Sequence, residues 1–269
     1  MSEWLAVIIL GIIEGVTEFL PVSSTGHLQL AGRWLQPQSE LFDIVVQCGA
    51  VLAVMMVFKV RVQTLLRDWR SAATRDYVGK LLLAFAITMV GVLVAERIGL
   101  KVRKEDVEPA AWAARVAWAT LIGGVLIIAI ERWHRNKPGS GDITWAVAVV
   151  VGLAQILAAV YSGTSRSGST ILFALMLGVA RPAATEFSFL LGVPTLLAAG
   201  GYKFLKAAKA GELAGEHWGQ VLLGTAVAAV MAFIAVKWLL RYVQTHTFTV
   251  FGWYRIGLAA VIFALLAWG

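Results

Sequence analysis

Six stretches of this chain, about 42–58, 81–95, 111–130, 186–201, 219–239 and 248–268, are mostly apolar and come near membrane-crossing length. A helix rises about 1.5 Å per residue, so about 20 apolar residues cross the hydrocarbon core of a bilayer. Only 14% of the 269 residues are charged, 59% are hydrophobic, and the mean hydropathy is +0.78. An ordinary soluble domain carries about 25% charged residues. So few charges cannot cover a soluble surface, and the bilayer must solvate much of the chain. The expected class is an all-α polytopic membrane protein with six transmembrane helices. No Pro/Ser-rich linker divides it, so residues 1–269 read as one membrane domain. Trp112, Trp118, Trp218, Trp238, Trp253 and Trp268 lie toward span ends, where interfacial aromatics belong.

Two further apolar segments are broken. Residues 5–30 are interrupted by Glu14, Glu18, Pro21 and the polar run 22–27, and residues 145–178 by Gln155 and the polar run 162–170. Irregular polar backbone at membrane depth is tolerated only where protein or a watery cavity satisfies it. Both segments therefore read as re-entrant helix hairpins. They resemble each other at an offset of 141, with Gly11 on Gly152, Glu14 on Gln155, Pro21 on Ser162, Ser23 on Thr164 and Ser24 on Ser165. Each is followed by three apolar spans. Three is odd, so the second copy (about 142–269) must enter from the side opposite to the first (about 1–135). The expectation is an inverted-topology repeat whose broken helices meet near the midplane.

The formal charge of +7 comes from 23 basic and 16 acidic residues, and the basic ones sit between apolar runs. There they orient the chain and meet anionic lipid headgroups, so no nucleic-acid partner is expected. The segment 59–80, with Lys59, Arg61, Arg67, Arg70, Arg75 and Lys80, is placed in the cytoplasm. Alternation puts 131–142 and 241–247 inside, and 96–110, 202–218 and both termini outside. Met1 to Trp4 lack a basic region, so no cleavable signal is expected. Cys48 is the only cysteine, which leaves no internal disulfide and points to a core position.

The chemistry concentrates at the breaks. Glu14 and Glu18, four apart in an apolar segment, share a helix face, and two such carboxylates repel unless a proton or cation sits between them. Hard oxygens of this kind suit magnesium or calcium, which would bridge phosphate oxygens. Pro21 to His27 reads as a helix break and a hydroxyl-rich turn: Ser23, Ser24 and Thr25 are natural caps and Gly26 permits unusual backbone. Free N–H groups at a helix start favour anions. His27 beside buried acids can act as acid, base or nucleophile. The run Gly163-Thr164-Ser165-Arg166-Ser167-Gly168-Ser169-Thr170 places a guanidinium among hydroxyls inside a membrane segment, where its planar fork suits phosphate. A purely structural pairing of Arg166 with Glu14 or Glu18 is the alternative. Glu186, Asp43 and Gln47 either line the cavity or mark helix ends, while Tyr161 and Trp145 read as packing.

Together, Glu14-x-x-x-Glu18, Pro21 to Leu28 and Gly163 to Thr170 closely resemble the signature motifs of bacterial undecaprenyl-pyrophosphate phosphatases, the bacitracin-resistance family, and 186–191 resembles a third shared block. The resemblance runs over the whole chain. It implies six spans and two re-entrant hairpins in an inverted repeat, a homodimer in the bacterial inner membrane, and a pocket opening toward the periplasm. It implies a divalent-cation-dependent phosphatase that hydrolyses undecaprenyl pyrophosphate, recycling the lipid carrier for cell-wall synthesis and conferring bacitracin resistance. Glu14 and Glu18 match the acidic pair, Ser24 and His27 the catalytic candidates, and Arg166 the phosphate-binding arginine. Ser23, Thr25, Gly26, Gly163, Thr164, Ser165, Ser167 and Thr170 are expected around the phosphates. The family usually has Pro where this chain has Ser162, which puts the second loop's geometry in question. Ser24, His27 and a cation-activated water are all candidates for the attacking group. The weight falls on Ser24, with His27 as its proton partner. A polyprenyl-phosphate flippase using the same midplane site is the rival reading.

Overall fold

The computed structural model describes residues 2–35, 38–102, 104–134 and 139–268. Among these, the chain is helical throughout, with no strand beyond one bridge between Ser140 and Val179. The first broken segment is α1 (Glu3–Thr17) and α2 (Ser24–Ala31). Next come α3 (Glu40–Val57), α4 (Lys59–Arg67), α5 (Ala72–Arg97) and α6 (Pro109–Trp133). The second broken segment is α7 (Trp145–Val160) and α8 (Arg166–Met176), followed by α9 (Arg181–Ala210), α10 (Trp218–Tyr242) and α11 (Thr249–Trp268).

Helices α5, α6, α9, α10 and α11 are each long and apolar enough to cross a membrane, and α3 with α4, bent by 73° at their junction, gives a sixth crossing if the pair is taken as one span. Their bounds lie close to the apolar stretches, but α5 and α9 extend well past them because their polar ends continue the helix. Helix α4 buries none of its residues and mixes Lys59, Arg61 and Arg67 with exposed Val60 and Leu66, the pattern of a helix lying in the interface. Large apolar side chains such as Leu82, Val90, Leu93, Ile122, Leu222, Val230 and Val261 face outward, as lipid rather than water requires.

Helices α1 and α7, with 15 and 16 residues, are too short to cross. At about 1.5 Å per residue they reach roughly 22–24 Å, short of a 30 Å core. Each stops at a polar turn and a shorter helix follows. The packing repeats between the halves: α1 and α3 lie on α10, while α7 and α9 lie on α5. Close backbone approach at glycines makes these seams, because lipid gives helices no hydrophobic reason to associate and packing must do so. A Cβ on Gly11 would meet Gly224 O at 2.7 Å, and one on Gly152 would meet Ala84 O at 2.9 Å. Cys48 is only half-buried, facing Gly200 across the α3–α9 contact.

Candidate active site

The two polar turns meet, with Ser167 Oγ of the second on Leu20 O of the first, and are built alike. Ser23 (φ 73°) and Ser165 (φ 70°) are the only residues other than glycine with left-handed backbone among those described. L-residues rarely adopt that conformation, and where they do the fold must hold it. Each serine caps the helix that follows: Ser23 Oγ accepts from Gly26 N at 3.2 Å and Ser165 Oγ from Gly168 N at 3.1 Å. The structural equivalents are thus Ser23 with Ser165, Ser24 with Arg166 and Gly26 with Gly168. This shifts by one residue the offset that holds for Gly11 and Gly152, and corrects the alignment of Ser23 with Thr164 and of Ser24 with Ser165. Gly163 (φ 96°) turns the second loop where a Cβ would lie 2.6 Å from Val116 O. Only glycine fits there.

The acids and the arginine come together. Glu14 and Glu18 are 5% and 7% exposed. Glu18 accepts from the Ser24 hydroxyl at 2.9 Å (Oε2) and from Arg166 Nη2 at 3.4 Å (Oε1), joining residues 148 positions apart. The Arg166 guanidinium also lies over the Phe19 ring, 5.3 Å from its centroid. Gly192 of α9 leaves it room, since a Cβ there would sit 1.9 Å from Nη1. Glu14 Oε1 accepts from Gln47 Nε2 at 3.3 Å, so Gln47 belongs to the site. Glu14 Oε2 and Arg166 Nε are buried without a hydrogen-bond partner among the described residues. Buried polar atoms are nearly always paired, so both point to a ligand.

Several expected hydroxyl ligands are committed elsewhere. Ser167 Oγ donates to Leu20 O (3.0 Å) and Glu18 O (3.4 Å), tying the second turn to the first. Thr170 Oγ1 donates to Arg166 O and Ser167 O, and Thr164 Oγ1 to Tyr161 O. The hydroxyl protons of Ser167, Thr170 and Thr164 are therefore not free to bind phosphate. Inside an apolar bundle these groups find the nearest carbonyl, as Ser and Thr commonly do one turn back. Thr25 is half-buried at the start of α2. Ahead of the capped Gly26 and Gly168, the first N–H groups of α2 and α8, those of Ser24, Thr25, Arg166 and Ser167, have no intrahelical acceptor and remain for an anion.

His27 is not the partner of Ser24. Its Nδ1 lies 2.8 Å from Ser23 O and its Nε2 2.7 Å from the Tyr254 hydroxyl. Nor does Glu186 reach the site, since it pairs with Arg61 at 2.8 Å. Tyr161 is exposed rather than packed, whereas Trp145, half-exposed, lies against Gly79 and under Lys80 of α5.

Arg255 is the residue that motif reading missed. It is 1% exposed and donates to Thr120 O (3.1 Å), Ala119 O (3.2 Å), Gly163 O (3.1 Å) and Thr164 O (3.0 Å), with Pro21 O at 3.5 Å. One guanidinium thus braces α6 and the second turn and reaches the first. Gly123 makes the space, as a Cβ there would lie 2.2 Å from Arg255 Nη2. The available signal was a lone arginine inside the apolar run 248–268, where an ionised group is expensive unless satisfied.

Known proteins resemble this chain over nearly its whole length. Residues 7–261 match the family model described as bacitracin resistance protein BacA. An undecaprenyl-diphosphatase of Rhizobium etli is 46% identical over 268 residues, covering 99% of this chain and 98% of its own. Those of Xylella fastidiosa and Xanthomonas oryzae pv. oryzae are each 45% identical over all 269 residues, covering 99% and 98% of their own lengths. With Glu18 of the first turn joined to Arg166 of the second and the family model matched over residues 7–261, the chain belongs to the bacitracin resistance protein BacA family.

Proposed function

We propose that this membrane protein hydrolyses undecaprenyl pyrophosphate to undecaprenyl phosphate and inorganic phosphate. The observation that carries this is Glu18 holding the Ser24 hydroxyl and the Arg166 guanidinium on its two oxygens. Ser24 Oγ attacks the terminal phosphorus and its proton passes to Glu18. The bond from that phosphorus to the bridging oxygen breaks, and the lipid monophosphate leaves. Arg166 and the N–H groups of α2 and α8 neutralise the charge on the transferred phosphoryl. Water then attacks the phosphoseryl phosphorus with His27 taking its proton, the bond from that phosphorus to Ser24 Oγ breaks, and Glu18 returns its proton to Ser24 as phosphate leaves.

A divalent cation, Mg or Ca, fits the residues present. Glu14 Oε2 is buried and unpartnered among the described residues, and the two carboxylates supply hard oxygens. Among the described residues no third acid, His or Cys joins them in a metal-binding group. Two carboxylates with water and substrate phosphate completing the shell is a set that magnesium accepts. Glu14 and Glu18 would hold it, and when bound it supplies positive charge to the phosphate oxygens.

The halves form an inverted repeat in this reading, supported by the matched packing of α1 on α10 and α7 on α5. In this reading the α4 end faces the cytoplasm of a bacterial inner membrane, which the basic residues from Lys59 to Lys80 support. The opposite end, where α2 returns, then opens the site to the periplasm. A homodimer is the proposed assembly, on the family resemblance alone. The test is phosphate release from a polyprenyl pyrophosphate by purified protein in detergent, with and without chelator. Release that falls on chelation and returns with Mg or Ca supports the reading. No release at any cation concentration overturns it.

A further inference from the structure

His27 makes two hydrogen bonds, and only the first is local. Nδ1 faces Ser23 O, one turn back in its own segment, while Nε2 faces the Tyr254 hydroxyl of α11, 227 residues on. A carbonyl only accepts, so Nδ1 carries the proton. In the neutral ring Nε2 then holds a lone pair, and the Tyr254 hydroxyl donates to it. The two rings are 9° from parallel with centroids 5.5 Å apart. Tyr254 is 50% exposed, so its ring is no core filler, and its hydroxyl has no other hydrogen-bond partner among the described residues. Its neighbour Arg255 braces α11 against the second turn, so the distance from Tyr254 to His27 is set by a rigid contact.

We infer that Tyr254 is a positioning residue for the reaction. Ser23 O holds His27 in the Nδ1–H tautomer, and the Tyr254 hydroxyl fixes the ring so that the Nε2 lone pair is aimed where the hydrolytic water will stand. When that water arrives it takes the hydroxyl's place, so one hydrogen bond is exchanged for another. Without Tyr254 the ring keeps only its tether to Ser23, and the lone pair is no longer aimed. The inference rests on the role given to His27 above. It concerns a residue outside every motif named from the sequence.

The test compares phosphate release by the wild type, Tyr254→Phe, His27→Ala and the double variant, each shown to be folded by its melting temperature and size-exclusion profile. Phenylalanine keeps the ring and loses only the hydroxyl. Tyr254→Phe is expected to lower kcat roughly ten- to hundredfold through misplacement of the base. KM should stay within about twofold, because the hydroxyl does not bind substrate. Added to His27→Ala, it should lower the residual rate no further. Wild-type turnover by Tyr254→Phe beside a crippled His27→Ala overturns this inference and spares the role of His27. An equal loss from Tyr254→Phe in both backgrounds overturns it too. A fully active His27→Ala removes the role of His27 and this inference with it.

Discussion

The two hairpins share one backbone device and carry opposite chemistry. In each, a helix too short to cross ends at a left-handed serine that caps the next helix through the glycine three residues on. The first hairpin supplies acids and a hydroxyl, Glu14, Glu18 and Ser24, and the second supplies Arg166 at the position of Ser24. Where the first has Glu14, the second has Gln155, buried with neither side-chain polar atom bonded among the described residues. The seams show the same divergence in volume. Gly15 of α1 meets Met231 of α10, whereas Ile156 of α7 meets Gly91 of α5, the large and small partners exchanged. A duplicated scaffold needs only its backbone geometry and total packed volume preserved, so side chains are free to become complementary across the seam.

The sharpest way to break this complementarity is to remove the cation of the second half. Arg166→Ala should cut phosphate release about a thousandfold, the scale of losing a preorganised charge at a phosphoryl. Arg166→Lys should recover only part of it, since an ammonium lacks the planar fork. Full activity in either would separate the second turn from the chemistry.

Making the first hairpin like the second comes next. Glu14→Gln should lower kcat about a hundredfold and raise the Mg or Ca concentration needed for half-activity. Gln155→Met should leave turnover within about twofold and the melting temperature no lower, because replacing an unpaired buried amide with an apolar group is neutral or stabilising. A large loss from Gln155→Met would show that the second hairpin is chemically active in its own right.

Gly192→Ala tests the space behind Arg166. A Cβ 1.9 Å from Nη1 must push the guanidinium off Glu18, and about a tenfold loss in kcat/KM is expected from the shift. The smallest effect belongs to the exchanged seam. Gly91→Ala places a Cβ 2.0 Å from Ile156 Cδ1 and should cost about 1–3 kcal/mol of stability, read as a lower melting temperature in detergent. Ile156→Ala beside it should return most of that loss, since it removes both Cδ1 and Cγ1, the atoms within 3.0 Å of the new Cβ.

Much of the fold and part of the site are legible in the order of residues. The apolar stretches mark the crossings, and Glu14, Glu18 and Arg166 stand out because a charge in an apolar segment is expensive without a partner. Reading fails where a residue type has several possible partners. Ser167, Thr164 and Thr170 look like phosphate ligands, but their hydroxyls take carbonyls in the turns. His27 looks like the partner of Ser24, but Tyr254 claims it. The one-residue slip between the hairpins is invisible in sequence because Ser23 and Ser24 are the same residue type, and only the left-handed φ of Ser23 tells them apart.

The chain's own chemistry settled that the polar breaks must be buried in protein, since neither lipid nor a spanning helix can satisfy them. It also settled which charges had to find one another, because an unpaired ion in hydrocarbon is untenable. Tertiary structure alone decided the pairing inside that cluster: Ser24 with Glu18, His27 with Tyr254, and Arg255 on carbonyls rather than on an acid. Hydrogen bonds depend on a few tenths of an ångström and on direction, and those are set by where α6, α9 and α11 come to rest against the turns.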